Sequence, residues 1–106
     1  MDLRQLRAFV VVAEELHFRT AAERIGMAQA AISTKIRDLE SELGFALFFR
    51  TTRNVSLTQA GTVFLEGVRD TLSTLECGIS AASAAADNRL DRLRIGGIDG
   101  ALIWYL

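Results

Sequence analysis

The chain has 106 residues, 50% of them hydrophobic, no proline and a formal net charge of -1, a balance that favours one small helical core over loops or disorder. No stretch reaches the ~20 consecutive apolar residues of a membrane span, and Asp2, Arg4 and Arg7 do not begin a signal peptide, so a cytoplasmic protein without membrane association is expected. A single cysteine, Cys77, rules out an internal disulfide, and with His17 as the sole histidine the ligands of a structural zinc site are too few.

Leu3, Leu6, Phe9, Val10, Ala13 and Leu16 recur at helical spacing and predict a first helix with one buried stripe, its other face carrying Arg4, Arg7, Glu14 and Glu15. A short second helix is expected over 18–25, with Ala21, Ala22 and Ile25 inward and Gly26 placed to end it in the left-handed conformation. Met27 and Ala28 complete a tight turn. A third helix over 29–43 sets Ile32, Ile36, Leu39 and Leu43 on one face before Gly44 stops it. The period then changes. Phe45, Leu47 and Phe49 alternate, Arg50 to Asn54 supplies turn chemistry, and Val55 and Leu57 alternate again, which predicts a two-stranded hairpin. Thr58 is the expected N-cap of a long helix running to about residue 86 or 88, some 29 residues and ~43 Å at ~1.5 Å per residue. Along it Phe64, Val68, Leu72, Leu75, Ile79 and Ala82 form a near-heptad seam suited to a partner helix. Leu93 to Ile98 reads as a strand opening a further domain that is truncated or absent.

The segment 18–43 has the dimensions of a helix-turn-helix, whose second helix presents its N-terminal residues to base edges in the major groove. Those residues are Gln29, Ala30, Ser33 and Thr34, with Lys35 and Arg37 behind them near phosphates. On periodicity alone, a solvated helix face accounts for Gln29 and Thr34 equally well. The net charge does not suggest a nucleic-acid partner, but its distribution is uneven: eight basic residues meet seven acidic ones up to Leu57, and four meet six beyond it. Two stretches, Arg24 to Arg37 and Leu43 to Leu65, contain no acid.

Several blocks in order resemble the N-terminal domain of LysR-type transcriptional regulators: Leu3 to Phe9, Ala21 to Gly26, Leu39-Glu40 with Glu42-Leu43-Gly44, Leu47-Phe48, Arg50 to Arg53, and Leu57 to Gly61. The resemblance is collinear to about Leu75. It implies a mainly α fold, a winged helix-turn-helix over 1–57 followed by a linker and dimerisation helix over 58–88, with 89–106 beginning a C-terminal effector-binding domain. It further implies a homodimer or higher oligomer on double-stranded DNA, seamed through Phe64, Val68, Leu72, Leu75 and Ile79. Gln29, Ala30, Ser33 and Thr34 then meet bases, and Arg53 enters the minor groove, where a narrow groove strengthens the negative potential. Lys35, Arg37, Arg50 and Thr52 lie on phosphates. No cofactor is implied for this segment, and the small-molecule effector belongs to the missing domain.

The chain departs from the family pattern where proline is common and it has Ala30, and where arginine is frequent and it has Thr34, which cannot pair bidentately with guanine. Lys35 stands where glutamine is common, and Arg19-Thr20 reverses the usual order, weakening the expected cap of the second helix. These changes bear on the operator sequence more than on the docking mode. His17 reads as a capping or surface residue, Cys77 as a reduced, packed thiol beside the seam, and Phe45, Phe48 and Phe49 as a cluster gluing the hairpin to the helices. No nucleophile–base pair or paired carboxylate is recognisable, so no enzyme is expected. The competing readings are a truncated regulator acting as a dimerisation or antagonist module without its own DNA binding, and a different winged-helix family such as the molybdate-responsive regulators.

Overall fold

The computed structural model describes residues 1–87, and the strand and further domain expected within 89–106 lie outside them. The described elements are α1 (Leu3–Glu15), α2 (Phe18–Ile25), α3 (Gln29–Leu43), β1 (Phe48–Arg50), β2 (Val55–Leu57) and α4 (Gln59–Ala86). The expected mainly α fold, three helices, a hairpin and a long helix, is the fold observed. The chain divides into two compact units, Met1–Thr71 and a second beginning at Leu72.

In the first unit α1 starts in a capping box. The Gln5 N–H donates to the Asp2 carboxylate at 2.8 Å, and the Asp2 N–H donates back to Gln5 Oε1 at 3.2 Å. Its buried residues are Ala8, Phe9, Val12 and Ala13, a stripe rotated around the helix from the expected one, and Leu3 and Leu16 at its two ends are exposed. The reason is that α1 is covered from two sides. It packs on α2 and α3, and Phe9 reaches Phe48 of the hairpin and Phe64 of α4 at centroid distances of 5.5 and 5.4 Å. The small Ala21 and Ala22 of α2 are buried, and α2 packs on both α1 and α3. Ile32, Ile36 and Leu39 carry the α3 side of the core. Gly26 at φ 72° and Gly44 at φ 85° end α2 and α3 in the left-handed region, as expected of residues without a Cβ.

β1 and β2 pair antiparallel, Phe48 opposite Leu57 and Arg50 opposite Val55. Leu47 and Phe48 are buried, whereas Phe45 is 43% and Phe49 63% exposed, so of the three phenylalanines only Phe48 glues the hairpin to the helices. The aromatic cluster is built instead from Phe9, Phe18, Phe48 and Phe64. The misassignment follows from period two. Strand pairing begins at Phe48 rather than Phe45, which places Phe48 inward and Phe49 outward.

Thr58 is the cap the sequence predicts: its hydroxyl accepts from the Gly61 N–H at 2.8 Å and donates to the Ala46 carbonyl at 2.8 Å. The same residue's N–H donates to the Leu47 carbonyl at 2.9 Å, so the start of α4 is stitched to the hairpin root. Leu65 and Val68 are buried within this unit. Val68, at 4% exposed, is therefore spent on its own chain's core and leaves no surface for a partner helix, and the half-buried Phe64 packs against Phe9 with the rings tilted. In the second unit α4 continues with Leu72 and Ile79 half-buried, Leu75 36% exposed, and Cys77 exposed in the single chain. Among the described residues no helix is long and apolar enough to cross a membrane.

Candidate nucleic-acid interface

The core residues of α3 decide what its other face presents. With Ile32, Ile36 and Leu39 buried, the 3.6-residue period turns Ala30, Thr34 and Arg37 outward, and all three are exposed. Gln29 is also exposed and Ser33 is half-buried, so four of the expected base-facing residues share the surface of the first two turns. Gln29 further lines an open polar depression together with His17, Arg19 and Thr20 of the α2 start. Neither helix has a side-chain cap at that end: His17 and Ala28, the N-cap residues of α2 and α3, make no cap hydrogen bond, and neither first turn contains an acid. Two positive helix ends thus lack the carboxylate that Asp2 supplies to α1. The acid-free stretch from Arg24 to Arg37 was the sequence signal for the α3 end, but nothing in the sequence joined His17, Arg19 and Thr20 to Gln29.

Lys35 is placed differently. It is half-buried on the flank of α3 next to α1, where its carbonyl accepts from Gln5 Nε2 at 3.4 Å. Donation from the Gln5 N–H holds the Asp2 carboxyl below its ordinary value, and the charge of Lys35 adds to this effect.

The hairpin separates its two arginines. At the tip the Thr51 N–H donates to the Asn54 carbonyl at 2.8 Å, and Thr51 Oγ1 accepts from the Asn54 and Arg53 N–H groups at 2.9 and 3.3 Å. This tight turn leaves the side chains of Thr52 and Arg53 exposed. Arg50, expected on a phosphate, turns inward instead. Its Nη2 lies 2.8 Å from Glu40 Oε1, and its guanidinium carbon stands 5.0 Å from the Phe18 ring centroid. Glu40 also accepts from the N–H groups of Leu47 and Phe48 at 2.7 and 3.2 Å. A cation already satisfied by a carboxylate and a ring is poorly placed to neutralise a phosphate. Glu40 is the residue the sequence did not single out, since its partners lie seven to ten positions away across a turn.

A second ionic group ties the helices together. Glu14 on α1 lies 2.7 Å from Arg24 on α2 and 3.1 Å from Arg69 on α4, and Glu15 lies 3.1 Å from Arg24. The Arg24 hydrogen bond, assisted by Arg69 and opposed by partial burial, holds the Glu14 carboxyl below its ordinary value of 4.5, and Glu14 in turn raises Arg24. Because the folded-state value is the lower one, Glu14 contributes stability above about pH 4.5 that is lost as pH falls through the folded value. Glu14→Gln is therefore expected to lower the urea midpoint at neutral pH modestly, since the group is solvent-screened, and to lose less on acidification to about pH 3 than the parent. Equal acid losses in the two chains would contradict this assignment.

Comparison with known proteins places this geometry. The family model described as bacterial regulatory helix-turn-helix protein, lysR family, matches residues 3–62. The chain is 47% identical over 96 residues to the HTH-type transcriptional regulator ShiR of Corynebacterium glutamicum (strain R), covering 91% of this chain and 32% of that protein. It is 42% identical over 106 residues to the HTH-type transcriptional regulator AlsR of Bacillus subtilis (strain 168), covering all of this chain and 35% of that protein. The chain thus spans about a third of the length of these curated relatives. Among solved structures it is similar to the complex of the BenM DBD with catB site 1 DNA, with a TM-score of 0.81 and 37% identity over 84% of this chain and 99% of that one. It is likewise similar to the CbnR DBD–DNA complex, with a TM-score of 0.78 and 37% identity over 81% of this chain and 99% of that one. With the helix-turn-helix, the hairpin and the start of α4 all inside the matched region, the chain belongs to the LysR family of bacterial helix-turn-helix regulatory proteins.

Proposed function

We propose that this chain is the DNA-reading part of a transcriptional regulator that binds a dyad-symmetric operator as a dimer, with α3 in the major groove and the hairpin tip in the minor groove. The observation that carries the reading is the exposed face of α3 opposite Ile32, Ile36 and Leu39, which offers Gln29, Ala30, Ser33 and Thr34 from an uncapped helix start. Likeness to domains solved on DNA supports it. In this reading Gln29 pairs with a base, Ala30 and Thr34 make apolar or single hydrogen-bond contacts, and Arg53 reads minor-groove shape. Arg37 and Thr52 serve phosphates, and Lys35 reaches one only from the α1 flank. Leu72, Leu75 and Ile79, stepping by three and four, form the dimer seam.

Selection of bound sites from a random duplex pool, followed by fluorescence anisotropy against salt, tests the reading. Gln29→Ala is expected to cost about 1–3 kcal/mol of discrimination at one base pair, leaving the salt slope unchanged. Arg37→Ala is expected to weaken binding to all sequences and to reduce the salt slope by about one. If Gln29→Ala and Arg53→Ala both left affinity and preference untouched, the proposed interface would be wrong. The net charge of -1 and the exposed Leu75 favour one other reading, a module that pairs with and disables full-length relatives. A chain that is dimeric by light scattering yet selects no DNA would support it.

A further inference from the structure

The hairpin tip is held only by its own turn among the described contacts, so whatever fixes the direction of Arg53 must act at the hairpin root. At the root a single carboxylate makes three bonds. Glu40 Oε2 accepts from the Leu47 and Phe48 N–H groups, and Oε1 takes the Arg50 guanidinium. The pair is well enclosed, with side-chain exposures of 17% for Glu40 and 21% for Arg50, so the bonds are little weakened by solvent. Glu40 sits on α3, the helix whose opposite end carries Gln29. Arg50 is in turn packed over Phe18 at the start of α2. The hairpin is thus hydrogen-bonded directly to α3, in addition to its packing on α1 and α2 through Phe48 and its tie to α4 through Thr58.

From this geometry we infer that Glu40 is a positioning residue for DNA reading: it locks the hairpin to α3 so that the tip and the recognition face meet their grooves in one fixed register. The inference rests on the proposed interface and adds a residue that touches no DNA. It explains why one of the two hairpin arginines is spent inside the protein. Without that tie, Arg53 would sample many directions, and the entropy of ordering it would be charged against binding.

The test uses Glu40→Gln, which keeps the shape of the side chain and one acceptor oxygen while removing the charge. In the free protein, amide exchange is read at Thr51, whose N–H is bonded to Asn54 and not to Glu40. It is expected to speed about tenfold, with the α1 core amides unchanged, because the opening is local. Equal acceleration in α1 and at Thr51 would show general destabilisation, and no acceleration would show no anchor. Either result overturns the inference. On DNA, Glu40→Gln is expected to weaken binding about tenfold in the parent and less than twofold in an Arg53→Ala background, while remaining additive with Gln29→Ala. Additivity with Arg53→Ala would overturn it, as would coupling to Gln29 alone, the mark of a distorted α3. An Arg53→Ala chain that binds as tightly as the parent would instead refute the hairpin's place in the interface, leaving the exchange result to decide the anchor by itself.

Discussion

Replacing Gly61 by alanine is expected to destabilise the chain by about 2–3 kcal/mol, the upper range for forcing atoms into a packed site. The same substitution at Gly67, two turns along the same helix, should stabilise it by up to about 1 kcal/mol, the ordinary helix-propensity gain. The difference lies in what surrounds each residue. A Cβ on Gly61 would collide with the Leu47 carbonyl oxygen and would stand 3.0 Å from Leu57 Cδ2, while a Cβ on Gly67 meets nothing within 4 Å. The obstacle at Gly61 is backbone, which cannot rotate aside as a side-chain end would. Leu47 is fully buried, and its carbonyl accepts from the Thr58 N–H at 2.9 Å, so relief must open the hairpin root and disturb the cap together. Urea denaturation of both variants decides the matter, and a Gly61→Ala chain as stable as the parent would refute the close approach of α4 to the hairpin.

Truncating Phe9 is expected to cost more still, about 4 kcal/mol, within the range for phenylalanine-to-alanine changes at buried sites. Phe9 has no exposed surface and is the ring on which three elements converge, with Phe48 at 5.5 Å and an interplanar angle of 60° and Phe64 at 5.4 Å and 46°. The loss combines the transfer free energy of the ring, two aromatic contacts and a cavity between α1, β1 and α4 that backbone stitched by Thr58 and Glu40 cannot readily close. A domain this small has roughly 5–15 kcal/mol in total, so a largely unfolded or cold-labile variant is the expected phenotype. Phe9→Leu should recover most of the loss. Phe49→Ala is the matched control. That side chain is 63% exposed, and its removal should change the thermal midpoint little, within about 0.5 kcal/mol. If Phe49→Ala proved as costly as Phe9→Ala, the assignment of inward and outward hairpin faces would be reversed.

The helices were legible because their signals are local. Leu39 and Ile36 repeat with the α-helical period, Gly26 and Gly44 supply the left-handed residues that end α2 and α3, and the Thr58 hydroxyl needs only the next turn to find its partner. The Asp2–Gln5 capping box was equally local and could have been read from its spacing. The faces of the hairpin were not legible to the same degree. Alternation places a strand near Phe48 but leaves its register open by one residue, and one residue exchanges inside for outside.

By itself, the sequence determined where α2 and α3 begin and end and where α4 begins, that a hairpin follows α3, and that the α3 face opposite Ile32 and Ile36 is polar and poor in acid at its start. Only the tertiary structure decided how equivalent residues divide their work. Arg50 and Arg53 are both turn arginines in the sequence, yet one is taken by Glu40 and Phe18 while the other is left exposed. Val68 and Leu75 are both steps of one apolar seam, yet Val68 is buried in its own core and Leu75 is not. Periodicity records which faces are apolar and local chemistry records where elements stop, because both act within a turn or two. Which surface covers a face, and which charge answers another, depends on distances set only when elements far apart in the chain are packed together.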